Sequence, residues 1–184
     1  MVKQSPALGR ELRVFKDNIH SEKTFSKFEP LGRDSGTLDG LNVHGAVVDE
    51  LHAHKSDEVW GVLETATGSR RNPMMFAITT AGFNQASFCF QLRDYAIKVL
   101  ERIYDNDSFF GVIYTLDEED IKSAAGWRDE RNWVKANPNL GVSVSLEDLR
   151  DKALKARSIG SALTHFLTKH LNVWTNAAEL WISP

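Results

Sequence analysis

Two short apolar runs, each followed directly by polar residues, are the clearest hydrophobic pattern in the chain. Residues 44–50 (HGAVVDE) end in two adjacent carboxylates, and residues 73–78 (PMMFAI) are followed by residues 79–82 (TTAG). Runs of this kind predict buried strands of a parallel sheet. Residues 55–68 lie between them with apolar side chains at helical spacing, which predicts the order strand, helix, strand. Such a crossover makes the strands parallel and brings their carboxyl ends to one edge of the sheet.

The rest of the pattern divides the chain into an α/β part, residues 1–116, and a mostly helical part, residues 117–184. In the first part we predict two further strands, a long amphipathic helix and a third buried strand, at residues 12–19, 24–31, 84–103 and 109–116. In the second part we predict three helices, the middle one with Ser145 as its N-cap, at residues 128–136, 146–157 and 159–174. The sequence therefore predicts an α/β fold with a helical appendage.

The polar residues that follow the first strand have the chemistry of a nucleotide-hydrolysing site. An aspartate at the carboxyl end of a buried strand, here Asp49, can hold a magnesium ion on the phosphates of a nucleotide. The next residue, Glu50, can orient and deprotonate the water that attacks the γ-phosphate, as in a Walker B element. The same pair also suits an ordinary strand that ends in a solvated turn. Thr79 and Thr80, expected at the same edge, can hydrogen-bond a water or a phosphate, and Gly82 lets the backbone turn closely past them.

Four motifs, in this order along the chain, resemble the large subunit of the tailed-bacteriophage terminase, the ATP-driven motor that packages DNA. They are residues 38–42 (LDGLN), 47–54 (VVDELHAH), 78–82 (ITTAG) and 133–141 (WVKANPNLG). The resemblance runs from the first residues almost to the last. It implies the parallel-sheet core of a P-loop NTPase of the additional-strand, RecA-like type.

The resemblance also implies roles for the candidate residues. Asp49 would position Mg²⁺ and Glu50 would activate the attacking water, while Thr79, Thr80 and Gly82 resemble the coupling motif that links loss of the γ-phosphate to movement. The implied cofactors are ATP and Mg²⁺. The implied partners are double-stranded DNA, the terminase small subunit, the portal protein and further copies of the subunit in a ring, in the cytoplasm of the host bacterium.

A phosphate-binding loop is not found in the sequence, because none of the 12 glycines is followed by lysine. Such a loop needs Gly-Lys followed by Ser or Thr to hold the phosphates. In the terminase family the loop precedes the segment resembled here, and an RNase H-like nuclease domain follows it. We therefore expect the second half of the ATPase domain at residues 1–116 and a helical linker subdomain at residues 117–184, inactive without the loop. The alternative is a non-enzymatic prophage remnant or interaction fragment.

Other polar residues allow further interpretations. Arg70 follows the crossover helix and would serve as an arginine finger towards a neighbouring subunit, or would simply complement the helix dipole. His52, His54 and Asp49 suggest a zinc-dependent hydrolase, but a His-x-His pair supplies only two ligands and no His-Glu-x-x-His pattern is present. The carboxylate run at residues 117–120 is typical of a solvated surface rather than a nuclease site.

Composition narrows the classes of function. With 22 basic and 25 acidic residues and a net charge of −3, the chain lacks the overall charge of a nucleic-acid binder, so any DNA contact is expected to be local. The single cysteine, Cys89, cannot form an intrachain disulfide, which predicts a reduced, cytoplasmic setting. No apolar run approaches the roughly 18 residues that span a bilayer, and no membrane partner is expected.

Overall fold

The computed structural model describes residues 2–32 and 40–176 and shows two compact units. The first comprises Met1–His44 and Glu58–Pro73, and the second comprises Gly45–Asp57 and Met74–Pro184. Leu38 and Asp39, the first two residues of the LDGLN motif, lie outside the described residues. Within the described ranges no helix is both long and apolar enough to cross a membrane.

The first unit contains a small antiparallel sheet with one helix on either side of it in the sequence. Its elements are α1 (Pro6–Glu11), β1 (Arg13–Val14), β2 (Ile19–Ser21), β3 (Ser26–Phe28) and α2 (Glu58–Ala66), and the strand order is β1-β2-β3. The predicted strands at residues 12–19 and 24–31 were wrong in their bounds, because the chain already turns between β1 and β2. Asp17 and Asn18 occupy that turn, and both residue types favour turns over strands. The predicted helix at residues 55–68 is confirmed as α2.

The second unit is built on two parallel strands, β4 (Gly45–Asp49) and β5 (Met74–Ile78). The predicted order of strand, helix and strand, with parallel pairing, is therefore confirmed. The strands are not buried on both faces, however, as the apolar runs suggested. Ala46 and Val48 are 9% and 5% exposed, whereas Val47 is 60% exposed. Alternate residues of a strand point to opposite faces, so one face of the sheet packs inward and the other is open.

In the part of the second unit that the structure describes, five α-helices accompany the strands. They are α3 (Phe88–Leu100), α4 (Glu118–Lys122), α5 (Trp133–Ala136), α6 (Leu146–Ala156) and α7 (Gly160–His170). The three longest fall within predicted helices, and Ser145 caps α6 as predicted by accepting a hydrogen bond from the Asp148 N–H at 3.3 Å. The helix predicted at residues 128–136 is shorter than expected. Two 3₁₀ turns, Gly126–Arg128 and Glu130–Asn132, precede α5 in this region.

The predicted third strand at residues 109–116 was wrong. The chain there joins no sheet, and Phe110, Val112 and Tyr114 are 85%, 54% and 51% exposed. Side-chain hydrogen bonds hold its end instead: the Thr115 hydroxyl donates to the carbonyl of Asn172 at 2.9 Å. A continuous apolar run of this kind therefore forms a strand only where a neighbouring strand pairs with it.

A core of aromatic and small residues fixes the helices of the second unit. Trp133 and Phe166 are each 1% exposed, with ring centroids 5.5 Å apart. Trp127 stacks on the same phenyl ring at 5.5 Å, and its carbonyl accepts a 2.8 Å hydrogen bond from the Trp133 indole N–H. Alanines of α5 and α6 complete the cluster, because small side chains let the helices approach these large rings.

Three of the four carboxylates at residues 117–120 are exposed, as predicted for a solvated surface, and two of the four also make structural hydrogen bonds. Asp117 and Asp120 form a capping box at the start of α4, and both accept hydrogen bonds from the Lys135 ammonium at 2.7 Å. Hydrogen bonding to that lysine holds the pKa of Asp120 below its usual value, and the two carboxylates raise the pKa of Lys135. The run therefore ties α4 to α5.

Candidate functional site

The candidate site lies at the carboxyl ends of β4 and β5. The strand register pairs Asp49 with Ile78, so Glu50 and Thr79 leave the two strands side by side. This is the juxtaposition of the carboxylates and the threonine pair that the sequence predicted. A 3₁₀ turn, Leu51–Ala53, follows Glu50 and is anchored by the buried Leu51.

Asp49 and Glu50 form a tight turn with their side chains available to solvent. Oδ1 of Asp49 accepts a 3.0 Å hydrogen bond from the Glu50 N–H, and the Glu50 side chain is 55% exposed. Glu50 has φ of +52°, in the left-handed region that glycine and asparagine adopt more readily. A non-glycine residue in this conformation costs about 1–2 kcal/mol. Strained backbone positions of this kind cluster at functional sites, where the side chain is needed for binding or catalysis.

His52 is the hub of the site. Its backbone N–H donates to Oγ1 of Thr79 at 3.0 Å, and its Nδ1 lies 3.0 Å from both Thr79 Oγ1 and Glu50 Oε2. Its Nε2 lies 2.6 Å from Nζ of Lys169, near the end of α7. The imidazole is 12% exposed, so these contacts form largely away from water. The His52 side chain thus connects the carboxylate of Glu50, the hydroxyl of Thr79 and Lys169 of α7.

The imidazole of His52 has a lowered pKa. Burial away from water is the largest cause, the Lys169 ammonium adds to it, and the Glu50 carboxylate acts in the opposite direction. Because burial and the lysine both disfavour a charged ring, His52 is held neutral at pH values where an exposed histidine is partly protonated. The ring is therefore a fixed hydrogen-bonding bridge at neutral pH.

The residues after Thr79 are held by Lys169 and Asn172, at the end of α7. Lys169 donates to Oγ1 of Thr80 at 3.0 Å, and the Ala81 N–H donates to Oδ1 of Asn172 at 3.3 Å. Asn172 itself has φ of +52° and donates through its amide to the carbonyl of Tyr114 at 2.9 Å. The backbone that carries Thr79, Thr80 and Gly82 is thus tied to the residues that end α7.

Gly82 is required by close packing rather than by its backbone angle. A Cβ built there would lie 3.1 and 3.3 Å from ring carbons of Trp174 and 3.4 Å from Cβ of His52. The indole of Trp174 is itself held edge-to-face against Phe90, with centroids 5.0 Å apart. The ring therefore has limited room to move.

We expect Gly82→Ala to lower the free energy of unfolding by about 1–3 kcal/mol, because the added methyl overpacks the indole and the imidazole. Denaturant unfolding monitored by tryptophan fluorescence measures the change. Gly61→Ala is the matched control, since a Cβ at Gly61 meets nothing within 4 Å and alanine favours the interior of α2. Equal stabilities of Gly82→Ala and the unchanged chain would contradict the packing account.

Two other predicted roles concern Arg70 as an arginine finger and a zinc site formed by His52, His54 and Asp49. Arg70 belongs to the first unit, where its guanidinium donates to the carbonyl of Asn42 at 3.0 Å. For the zinc interpretation, His54 and Asp49 do not join His52 in a ligand set: among residues 2–32 and 40–176 no three His, Cys, Asp or Glu side chains are grouped to hold a metal ion.

Sequence reasoning missed Lys169 and Asn172 and gave His52 a different role. Lys169 is 117 residues from His52 in the chain, and no local pattern marks a contact of that separation. Asn172 did carry a signal, because asparagine just after a helix favours the left-handed conformation that ends it. The predicted helix at residues 159–174 instead ran past this residue.

Models of the terminase large subunit match nearly the whole chain. The model of its ATPase domain matches residues 1–98, and the model of its endonuclease domain matches residues 103–184. The division between these models falls earlier than the predicted boundary between residues 116 and 117, and the second model covers the predicted helical linker.

Two curated proteins are similar in sequence. Protein YmfN of Escherichia coli (strain K12) is 41% identical over 145 residues, which cover 79% of this chain and 31% of YmfN. The terminase large subunit of Enterobacteria phage HK97 is 26% identical over 159 residues, which cover 85% of this chain and 30% of that protein. The chain thus spans less than a third of the length of these relatives.

The fold is shared with a solved structure. The crystal structure of the HK97 bacteriophage large terminase superposes with a TM-score of 0.75 at 22% identity, covering 94% of this chain and 35% of that chain. The α/β fold class predicted from the sequence, a parallel-sheet NTPase core followed by helices, is confirmed by this match. The ATPase-domain model alone covers more than half of the 184 residues. The chain belongs to the terminase large-subunit family.

Proposed function

We propose that these residues form part of the ATPase site of a phage terminase large subunit, which couples ATP hydrolysis to the movement of viral DNA into the procapsid. The observation that carries the proposal is the placement of Asp49 and Glu50 beside Thr79 and Thr80 at one edge of a parallel strand pair, joined through His52. Ligands of open α/β sheets bind at such an edge.

The donor set at this edge fits a magnesium ion that is carried by a nucleotide. Mg²⁺ on nucleotide phosphates takes one or two protein carboxylates and keeps several waters, so a cage of protein ligands is not needed. Asp49 offers such a carboxylate, since a single backbone N–H bonds its Oδ1 and the side chain belongs to an exposed residue. In the proposed site Asp49 would hold Mg²⁺, and the ion would neutralise charge on the phosphates of ATP.

Glu50 is the proposed general base. Its carboxylate is exposed at the edge and is oriented by the imidazole of His52, 3.0 Å away. A base held in one orientation by a neighbouring donor can accept the proton of an attacking water without first reorganising. Thr79, Thr80 and Gly82 form the proposed coupling segment, because the ties of this stretch to Lys169 and Asn172 give it a path to the C-terminal helices.

The proposal extends to the domain division and to partners. We infer that residues 1–116 belong to the ATPase domain and that residues 117–184 act as a helical linker. The helices α5, α6 and α7 pack around one aromatic core, which supports the linker assignment. Double-stranded DNA, the small subunit, the portal protein and a ring of large subunits follow from the family role, in the cytoplasm of the host. Arg70 is the candidate arginine finger towards a neighbouring subunit.

A second candidate function is that of a non-enzymatic interaction fragment. It is favoured by one observation, namely that none of the 12 glycines is followed by lysine, so these residues alone offer no loop to hold the phosphates. ATP turnover therefore has to be tested in a large subunit in which a phosphate-binding loop precedes these 184 residues. We call this protein the extended subunit.

We expect Asp49→Asn in the extended subunit to raise the Mg²⁺ concentration for half-maximal ATP hydrolysis by at least about tenfold, because an amide is a poor ligand for Mg²⁺. Asparagine keeps Oδ1 as the acceptor for the Glu50 N–H, so the turn is preserved. Asp57→Asn is the control, since it removes an equal charge from an exposed residue of the same unit. An unchanged Mg²⁺ dependence of Asp49→Asn would overturn the assignment.

A further inference from the structure

Lys169 makes two hydrogen bonds that place it beside both halves of the candidate site. Its ammonium reaches Nε2 of His52 at 2.6 Å and Oγ1 of Thr80 at 3.0 Å. Both acceptors are neutral groups. A lysine near the carboxyl end of a helix usually needs no more than the helix dipole and water. The geometry here is more specific, because one ammonium bridges the segment after β4 and the segment after β5.

The hydrogen-bonding chemistry fixes which nitrogen of His52 carries the proton. A lysine ammonium has only donors, so Nε2 must accept and cannot carry a hydrogen of its own. A neutral imidazole then has its hydrogen on Nδ1, which faces Oε2 of Glu50 at 3.0 Å. The hydroxyl of Thr79 lies equally close to Nδ1 and donates to the Thr80 carbonyl at 2.9 Å, so towards Nδ1 it is a second, neutral acceptor, weaker than the charged carboxylate of Glu50. The direction of donation therefore runs from Lys169 through His52 to Glu50.

We propose that Lys169 and His52 are positioning residues for Glu50: the lysine fixes the Nδ1–H form of the imidazole, which then holds the carboxylate in its working orientation. The inference rests on the proposed function of Glu50 as the general base. It also implies that the orientation of Glu50 depends on the position of α7, which carries Lys169. Withdrawal of α7 would release Thr80 directly and would remove the donor that orients His52 towards Glu50, because the same ammonium reaches Thr80 and His52.

The first test measures the imidazole itself in the 184-residue chain. Histidine ¹⁵N NMR at neutral pH is expected to show a protonated Nδ1 and an unprotonated Nε2 for His52. In Lys169→Met this preference is expected to weaken, because the Nε2 acceptor no longer has its donor and only the contact of Nδ1 with Glu50 still favours it. Lys155→Met is the control, since it removes an equal charge from an exposed residue of α6. A protonated Nε2 in the unchanged chain would overturn the proposal.

The second test measures turnover in the extended subunit. Lys169→Met is expected to lower kcat by about tenfold to a hundredfold, because a slightly displaced catalytic group slows the chemical step. The KM for ATP is expected to change less than kcat, since Lys169 does not contact Asp49, the proposed metal ligand, and meets only the hydroxyl of Thr80 among the residues proposed to contact water or phosphate. Lys155→Met is expected to leave both constants unchanged. If Lys169 had only a structural role, Lys169→Met would lower the stability of the protein but would not lower kcat selectively relative to KM.

The two proposals fail in different ways. If Glu50→Gln hydrolyses ATP normally, the assignment of the base is wrong, whatever the NMR result. If Glu50→Gln is inactive while the kcat of Lys169→Met equals that of Lys155→Met, the base is correct and the positioning role is overturned.

Discussion

Glu50→Gln in the extended subunit is expected to lower kcat for Mg²⁺-dependent ATP hydrolysis by about a hundredfold to ten-thousandfold, the range that a positioned general base supplies. Glutamine has the shape of glutamate but cannot take a proton from water. Asp49 remains to hold Mg²⁺, so nucleotide is expected to stay bound. Steady-state hydrolysis and equilibrium binding of a fluorescent ATP analogue measure the two effects separately.

Two further variants show whether the loss of turnover is specific to the carboxylate of Glu50. Glu119→Gln, an exposed position in the first turn of α4, is expected to leave kcat unchanged. Glu50→Gly is expected to lose turnover as Glu50→Gln does, yet to gain about 1 kcal/mol in stability, because glycine adopts the φ of +52° without strain. A Glu50→Gln protein that hydrolyses ATP at the normal rate would show that another group activates the water.

Phe166→Ala is expected to lower the free energy of unfolding of the second unit by about 3–5 kcal/mol, the usual cost of removing a buried phenyl ring. The ring is 1% exposed and lies against Trp127 and Trp133, both at centroid distances of 5.5 Å. These rigid indoles cannot collapse readily into the cavity, which places the cost in the upper part of the range. Chemical denaturation followed by tryptophan fluorescence measures it.

The control for this prediction is Leu154→Ala on the neighbouring helix. Leu154 is 65% exposed, so its removal is expected to change stability by no more than about 0.5 kcal/mol. A loss below about 1 kcal/mol for Phe166→Ala would contradict the packing of the aromatic core. Because α7 carries both Phe166 and Lys169, a loosened core is also expected to weaken the contact of Lys169 with His52.

The helices and strands that were predicted correctly are those whose sequence patterns lie within one short stretch of residues. The β4–α2–β5 order, the Ser145 cap and the long helix α3 each follow from a short stretch of residues. The failure at residues 109–116 arose because a local pattern depends on a partner far away. Residues 109–116 form a continuous apolar run, as a buried strand does, but among the described residues no strand pairs with them, and Asn172 bonds the chain there instead.

The candidate site shows the same division. Asp49, Glu50 and the threonine pair were predicted together because strand order alone brings them to one edge. His52 was noticed only as a possible metal ligand, since its neighbours in the sequence do not reveal Lys169. Contacts between residues 117 positions apart depend on how the helices pack, and packing of that kind cannot be read from periodicity.

The most direct test of the central claim is a crystal structure of the extended subunit with Mg²⁺ and a non-hydrolysable ATP analogue. The account predicts that Asp49 contacts Mg²⁺ or one of its waters, and that Glu50 lies within hydrogen-bonding distance of a water facing the γ-phosphate, with His52 still bridging to Lys169. A nucleotide bound away from the carboxyl ends of β4 and β5 would contradict it.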